Sequence, residues 1–330
     1  MSAPSKLLTM QDVSVSVRRG TRVLIRDVNL SVAHNEIVAL VGESGSGKTV
    51  TTQAILRLLD PARSTISGKV LYDGNNILDM TPSALRNLRA KGIGMIFQDP
   101  MTSLNPLLRI GYQITESLHC HGVRRDQCNA RALELMSLVG LRNPGSLMEA
   151  YPYELSGGMR QRVMIATALM GGPKLLIADE PTTALDVTVQ AQFLELLQEI
   201  RKNTGIAILL ITHDLGVVST VADTVYVMYG GQVVEHGDMR AVLTMPTHPY
   251  TSALLRSTPQ PGSRRGGMRP RLQEIPGTVP LDPSSVRGCV FHERCAFADT
   301  KCRNEVPLPH GPRALRCHHP LAELTTVAAR

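Results

Sequence analysis

"EIVALVGESGSGKT", residues 36 to 49, decides the fold. Residues 36–42, "EIVALVG", read as an apolar strand ending in glycine. Gly42 to Thr49 then fit the pattern G-x-x-x-x-G-K-[ST]. A strand before this pattern and a helix after it, expected from Thr49 to about Leu59, are the setting that makes it a phosphate-binding loop. Gly42, Gly45 and Gly47, interleaved with Glu43, Ser44 and Ser46, let the backbone amides turn inward around phosphate oxygens. The helix N-terminus adds partial positive charge. Lys48 is expected at the β- and γ-phosphates of ATP, with the Thr49 hydroxyl on Mg²⁺. A glycine-rich turn ahead of a helix is the bland alternative, and it leaves the complete pattern unexplained.

A second apolar run, "LLIADE" (175–180), ends in two carboxylates. Adjacent acids at the end of a buried strand are costly unless they face a cation. Asp179 is expected to hold Mg²⁺, and Glu180 to polarise the attacking water.

The rest of the chain fits an α/β domain. Its 330 residues are 43% hydrophobic, enough for a large core, and the formal net charge is +7. That charge is compatible with phosphate, nucleic acid or an anionic membrane surface and selects none of them. Aromatics are 3% and Trp is absent, which argues against stacking platforms for single strands. No apolar run reaches the roughly 18 residues of a spanning helix. The first residues lack the apolar core of a signal peptide, so a cytosolic setting with reduced thiols is expected. "GKVLYDGNNIL" (68–78) reads as a hairpin turning at Asp73-Gly74, and "TVYVMYGGQVVEHG" (224–237) as another. "IGMIF" (93–97) and "IAILLIT" (206–212) read as strands, and 187–203 as a crossover helix. Residues 107–170 are mostly helical in pattern, broken at Gly122, Pro144 and Pro152.

"ELSGGMRQR" (154–162) sets the chain apart from other phosphate-loop ATPases. Ser156, Gly157 and Gly158 at a helix N-terminus make a second phosphate-binding surface. The stretch resembles the LSGGQ signature of the ATP-binding cassette (ABC) family, with Met159 where Gln is usual. A chain with its own phosphate loop has use for such a surface if it serves a neighbour's ATP, which implies a head-to-tail dimer around two nucleotides. Other elements occur in family order. Gln98 in "IFQDP" matches the Q-loop glutamine that contacts Mg²⁺ and water. "TTALD" (182–186) matches the D-loop, with Asp186 crossing the dimer interface. His213 in "ITHD" matches the switch histidine near the γ-phosphate. The resemblance implies a phosphate-loop ABC nucleotide-binding domain over residues 5–256. Its parts are a RecA-like parallel-sheet core, an antiparallel β subdomain and a helical subdomain at about 99–170. One departure is Val17 where the family stacks adenine on an aromatic residue, with Arg18 and Arg19 next to it.

The end of the chain narrows the resemblance. Residues 257–272 are rich in Pro, Gly and Arg and read as a linker; 273–330 read as a cysteine-rich extension. "THPYTSALL" (247–255), "IPGTVP" (275–280), "IFQDPMTSLNP" (96–106) and "IADEPTTALDVTVQAQ" (177–192) resemble the ATPase subunits of oligopeptide/dipeptide importers, closest to the D-type subunit of dipeptide permeases. That resemblance implies a different ATPase subunit as partner in a heterodimer, two membrane permeases and an extracytoplasmic solute-binding protein. It places the chain on the cytoplasmic face of the bacterial inner membrane, with residues 99–125 docking on the permease. Nickel, oligosaccharide and antimicrobial-peptide transporters share these features, so the solute stays open. A soluble ABC ATPase acting on nucleic acid or the ribosome is the rival from another class. Arg256, Arg264, Arg265, Arg269 and Arg271 give it some support, but it usually carries two cassettes or a long coiled-coil insertion. A phosphate-loop kinase leaves the signature unexplained.

Four cysteines follow the spacing Cys289-x5-Cys295-x6-Cys302-x14-Cys317. Four thiols suit a four-iron cluster or tetrahedral Zn²⁺. Structural zinc sites usually show tight C-x2–4-C pairs, and none occurs here. The importer ATPases with this spacing hold a [4Fe-4S] cluster, so the resemblance implies one; zinc and plain thiols remain the alternatives. Cys120 and Cys128 read as ordinary thiols. The phosphate loop and the extension are expected to belong to separate cores.

Overall fold

The strand expected ahead of the phosphate loop is present as Ile37–Val41, buried at every residue. The computed structural model describes residues 5–17, 21–97, 103–182, 186–257, 274–280 and 282–321. They divide into two compact units. The first comprises Met1–Leu7, Val32–Glu36 and Asp79–Leu210; the second comprises Leu8–Ser31, Ile37–Leu78 and Ile211–Arg330.

β1 (Lys6–Val17), β2 (Arg22–Ala33), β4 (Ser64–Tyr72) and β5 (Asn75–Asn76) form a sheet in the order β2-β1-β4-β5. β1 pairs antiparallel with β4, and β4 with β5. The β4–β5 turn is Asp73-Gly74, both with positive φ (49° and 79°), as a two-residue hairpin of that sequence requires. The strand before the phosphate loop is β3 (Ile37–Val41), and it runs parallel to β9 (Thr224–Tyr229). β9 turns through Gly230-Gly231 into the antiparallel β10 (Gln232–Asp238). Full burial on both faces explains why β3 is apolar throughout rather than alternating.

In the first unit, β6 (Ile93–Ile96) and β7 (Leu175–Asp179) pair in parallel, Ile93 opposite Leu175 and Ile96 opposite Ala178. Among the described residues, four helices lie between them in sequence: Ile110–His119, Arg125–Leu138, Pro144–Glu149 and Gly157–Leu169. The crossover helix Val187–Thr204 is capped at its start by the Asp186 carboxylate, which accepts the Val189 N–H at 2.9 Å. Its end is Gly205 in the left-handed region (φ 70°). β8 (Ala207–Thr212) follows.

These strands, hairpins and helices match the sequence reading in kind and order. Two places differ. The hairpin expected over 68–78 starts at Ser64 and has its second strand only over Asn75–Asn76, because Ile77–Asp79 turn into a 3-10 helix. The helix after the phosphate loop spans Lys48–Ile55 instead of reaching Leu59, because Arg57 takes a positive φ (49°) and turns the chain away. Most of the 257–272 linker lies outside the described residues, as do Arg18, Arg19, Arg264, Arg265, Arg269 and Arg271. Val17 ends β1, paired with Ser64.

The described part of the extension contains little regular structure. Two short 3-10 turns, Pro283–Ser285 and His292–Arg294, and one helix, Thr300–Asn304, are its elements. Arg316 donates its N–H to Val234 O and His236 donates to Arg313 O, so residues 313–316 lie along β10. The Glu235 carboxylate, fully buried, accepts from Thr247 N, Thr247 Oγ1, His248 N and Arg313 Nη1. A buried carboxylate with four donors is satisfied, and it locks β10, the 247–248 turn and the extension together.

Candidate active site

The phosphate loop sits between the end of β3 and the helix Lys48–Ile55, within the second unit. Gly47 caps that helix at φ 108°, where a side chain would be strained and would meet Ile25 Cγ2 at 2.8 Å. At Gly42 an added Cβ would come within 2.1 Å of Met228 O. The ends of the loop are therefore fixed by close packing on β2 and β9. Lys48 is 4% exposed, and its ammonium donates to Gly42 O at 2.8 Å and Glu43 O at 3.0 Å. The Ser46 Oγ is buried with no hydrogen-bond partner among the described residues. An unsatisfied hydroxyl beside a buried ammonium fits a loop shaped for an anion. Ser44, Gly45 and Thr49 are exposed at the loop's open side, and Gly45 has φ 79°. Thr49 is the second residue of the helix.

Glu43 is the loop residue that sequence reasoning treats too lightly. Its backbone N–H donates to the Tyr250 hydroxyl at 2.9 Å. Its carboxylate takes both forks of Arg294, Nη1 to Oε2 at 2.6 Å and Nη2 to Oε1 at 3.0 Å. Burial disfavours the Arg294 charge, but the hydrogen bonds to Glu43 and Tyr229 outweigh it and raise its pKa. Arg294 belongs to the cysteine segment, so the expected separation of phosphate loop and extension is corrected: one ion pair and one aromatic cluster join them. In that cluster Tyr229 packs on Tyr250 (centroids 4.6 Å apart), and Phe291 packs on both (5.1 and 5.3 Å). Sequence reasoning misses Tyr229, Tyr250, Phe291 and Arg294. The one signal in the sequence is the arginine set between Cys289 and Cys295.

The first unit carries most of the other candidate groups. Asp179 closes the buried strand β7 and is 4% exposed. Glu180 follows at φ 45°, a left-handed conformation uncommon for a non-glycine residue. Ser156 caps the helix Gly157–Leu169 by accepting the Met159 N–H at 3.3 Å. Ser156 and Gly157 are exposed, and nothing lies within 4 Å of a Cβ built on Gly157 or Gly158. The signature is thus an open helix N-terminus. Gln161 on the same helix donates to Pro181 O at 2.9 Å, tying the signature helix to the residue after Glu180. Asp186 is exposed and occupied as a helix cap. His213 is exposed just after β8, in the second unit. Gln98 and the D-loop residues 183–185 lie outside the described residues.

Cys289, Cys295, Cys302 and Cys317 line one pocket with Phe291, Phe297, His248 and His292. Cys289 N–H donates to Cys302 O at 2.8 Å, so the first and third cysteines are joined through the backbone. Burial pushes the thiols up, Cys289 to about 11 and Cys317 to about 12, and the other cysteines raise Cys317 further. Cys295 and Cys302 are raised by burial as well. Four thiols that resist ionisation alone, gathered on one apolar wall, fit a set of ligands for a cation or cluster. His319 Nε2 lies 2.9 Å from Asp299 Oδ2, and with Cys302 they form a neighbouring group of possible ligands. Cys120 is exposed and Cys128 buried, both as free thiols.

Comparison with known proteins agrees with this geometry. Residues 25–183 match the ABC transporter family, and residues 234–302 match the oligopeptide/dipeptide transporter C-terminal region. A probable peptide ABC transporter ATP-binding protein of Sinorhizobium fredii is 48% identical, with 85% of this chain and 84% of the relative covered. The dipeptide transport ATP-binding protein DppD of Escherichia coli is 46% identical over 89% of this chain and 90% of its own. Among solved structures, the dimeric structure of MJ0796, a bacterial ABC transporter cassette, superposes with a TM-score of 0.61 at 28% identity. It covers 71% of this chain and 99% of that cassette. A phosphate loop, a strand-end Asp-Glu pair, an open signature helix and a matching C-terminal region, in relatives covered nearly end to end, place the chain in the ATP-binding protein family of ABC transporters, in the branch that carries the oligopeptide/dipeptide transporter C-terminal region.

Proposed function

We propose that the chain is the ATP-hydrolysing subunit of a bacterial peptide importer and acts as one half of a head-to-tail ATPase dimer. The observation that carries the reading is the joining of the C-terminal region to the phosphate loop at Glu43, in a chain whose relatives bear peptide-transport names. Lys48 and the loop amides would bind the triphosphate, and Thr49 and Asp179 would hold a Mg²⁺ that would offset its negative charge. Glu180 orients the attacking water, with His213 and Gln98 near the γ-phosphate. Ser156, Gly157 and Gly158 approach a partner's nucleotide, and Asp186 lies beside that interface.

The partner is a second, different ATPase subunit. Two permeases and an extracytoplasmic binding protein complete the complex on the inner membrane. Among the described residues no helix is long and apolar enough to cross a membrane, so the permeases supply the path. Leu107, Leu108 and Tyr112 are exposed in the stretch proposed to dock on them. No nucleic acid takes part. Co-purification of permeases, with ATPase activity raised by solute-loaded binding protein, tests this reading. Nucleic acid in place of permeases would overturn it.

The four cysteines are proposed to hold a [4Fe-4S] cluster, with Zn²⁺ as the alternative. The bound group would cross-link a segment with little core of its own. Anaerobically purified protein is expected to be brown, with about four irons per chain and broad absorbance near roughly 400 nm. Stoichiometric zinc without iron would move the assignment to zinc.

A further inference from the structure

A phosphate loop that places an acid at its second residue carries a like charge into a site for a triphosphate. Glu43 is that acid. Near the phosphates a free carboxylate opposes their binding. The structure supplies a counter-charge from 251 positions away, and it does so with little freedom: the Arg294 side chain is 5% exposed and that of Glu43 28%. All five N–H donors of the guanidinium have acceptors. Beyond the two bonds to Glu43, Nε donates to Pro276 O at 2.7 Å, Nη2 to Ile275 O at 3.1 Å and Nη1 to Tyr229 OH at 3.3 Å. The guanidinium also lies 5.6 Å from the centre of the Tyr229 ring. A fully used guanidinium stays in place.

Glu43 is held in turn at its backbone N–H by Tyr250, while its carbonyl accepts from Lys48 Nζ at 3.0 Å and Ser46 N at 3.2 Å. Moving the Glu43 side chain therefore disturbs the residue on which the phosphate-binding lysine rests. We infer that Arg294 is a positioning residue for ATP binding, neutralising the Glu43 carboxylate and holding it out of the nucleotide's way. The inference rests on the ATP-binding role of the loop. It is independent of which metal the neighbouring cysteines take, because every contact named is to protein.

The test is a double-mutant cycle on the full chain, read as the Kd for ATP by displacement of a fluorescent analogue, with melting temperature and bound metal measured alongside. Failure of the unmutated chain to bind ATP would sink the ATPase reading itself, whereas the cycle judges Arg294 alone. Arg294→Gln, which leaves the carboxylate unpaired, is expected to weaken ATP binding about tenfold, as loss of one desolvated charge contact does. Arg294→Lys keeps the charge without the fork and is expected to fall between. In the Glu43→Gln background the same Arg294→Gln change is expected to cost no more than about twofold, because no carboxylate remains to be neutralised. Raising the salt concentration is expected to narrow the Arg294→Gln deficit. Equal losses in both backgrounds would overturn the inference and leave Arg294 as scaffold only. So would ATP binding by Arg294→Gln within about twofold of the unmutated chain. Should Arg294→Gln fail to fold, the cycle is completed with Arg294→Lys, and a lysine variant that binds as the parent does in both backgrounds refutes it.

Discussion

The Tyr250 hydroxyl accepts the backbone N–H of Glu43 at 2.9 Å, which fixes the start of the phosphate loop to the helix Pro249–Ser257. Tyr250 is fully buried, and burial raises its pKa, so the hydroxyl stays neutral. Tyr250→Phe keeps the packing on Tyr229 and Phe291 and removes only the acceptor. A buried N–H left without a partner costs about 1–3 kcal/mol. The expected outcome is a lower melting temperature and weaker ATP binding by roughly three- to tenfold, read by calorimetry and nucleotide titration. Unchanged affinity together with unchanged stability would show that the bond does not shape the loop.

Glu180 stands directly after the buried strand β7 with a positive φ. Its carboxylate is the base proposed for the hydrolysis. Glu180→Gln is expected to bind ATP normally and lose turnover by at least about 10²-fold, in line with loss of a general base. ATP-bound dimers are then expected to accumulate on a sizing column. Near-normal hydrolysis would assign the water to another group.

Shared nucleotide sites make an asymmetric prediction. Lys48 belongs to the chain's own loop, while Gly157 lies on an open helix N-terminus. In a heterodimer, Lys48→Ala is expected to impair the site that the partner's signature completes. Gly157→Asp, which places a carboxylate on the signature, is expected to impair the opposite site. Site-specific nucleotide trapping reads both. A crosslink joining Ser156 to Lys48 of its own chain would contradict the geometry.

The local parts of this molecule are legible in its sequence because their causes are local. The phosphate loop is spelled by glycines beside a strand and a helix, and the Asp73-Gly74 turn by a dipeptide that suits two positive φ angles. The early end of the helix at Ile55 is not legible, since Arg57 turns the chain with an ordinary side chain. The pairing of Arg294 with Glu43 has no local signature either. Its cause is three-dimensional: the extension returns along β10 and brings the cysteine segment to the loop. Family wording marks "THPYTSALL" as meaningful, but only the fold shows that His248 lines the cysteine pocket while Tyr250 reaches Glu43.

His248, which packs against the extension through Arg316, is expected to make stability depend on pH. It is 1% exposed, its Nε2 lies 3.2 Å from Arg316 O, and its Nδ1 accepts the Tyr250 N–H at 3.0 Å. Those partners call for a proton on Nε2 and a lone pair on Nδ1, which is the neutral ring. Burial pushes its pKa down to about 4, against the opposing pull of the Glu235 carboxylate and the Arg316 carbonyl. In the unfolded chain the ring titrates near its ordinary value of about 6.5. Between about 6.5 and about 4 the unfolded state therefore binds more protons, so this group's contribution falls as pH drops through that window. Below about 4 both states are protonated and the contribution levels off. From about pH 7 to about pH 4.5 the loss is expected to be on the order of 2 kcal/mol. His248→Asn keeps an acceptor near Nδ1 and does not titrate. It is expected to start less stable and to lose about 2 kcal/mol less over the same range, measured by urea unfolding at each pH. Carboxylates common to both proteins cancel in the comparison. Parallel stability curves for the two proteins would mean that His248 is not held neutral by burial.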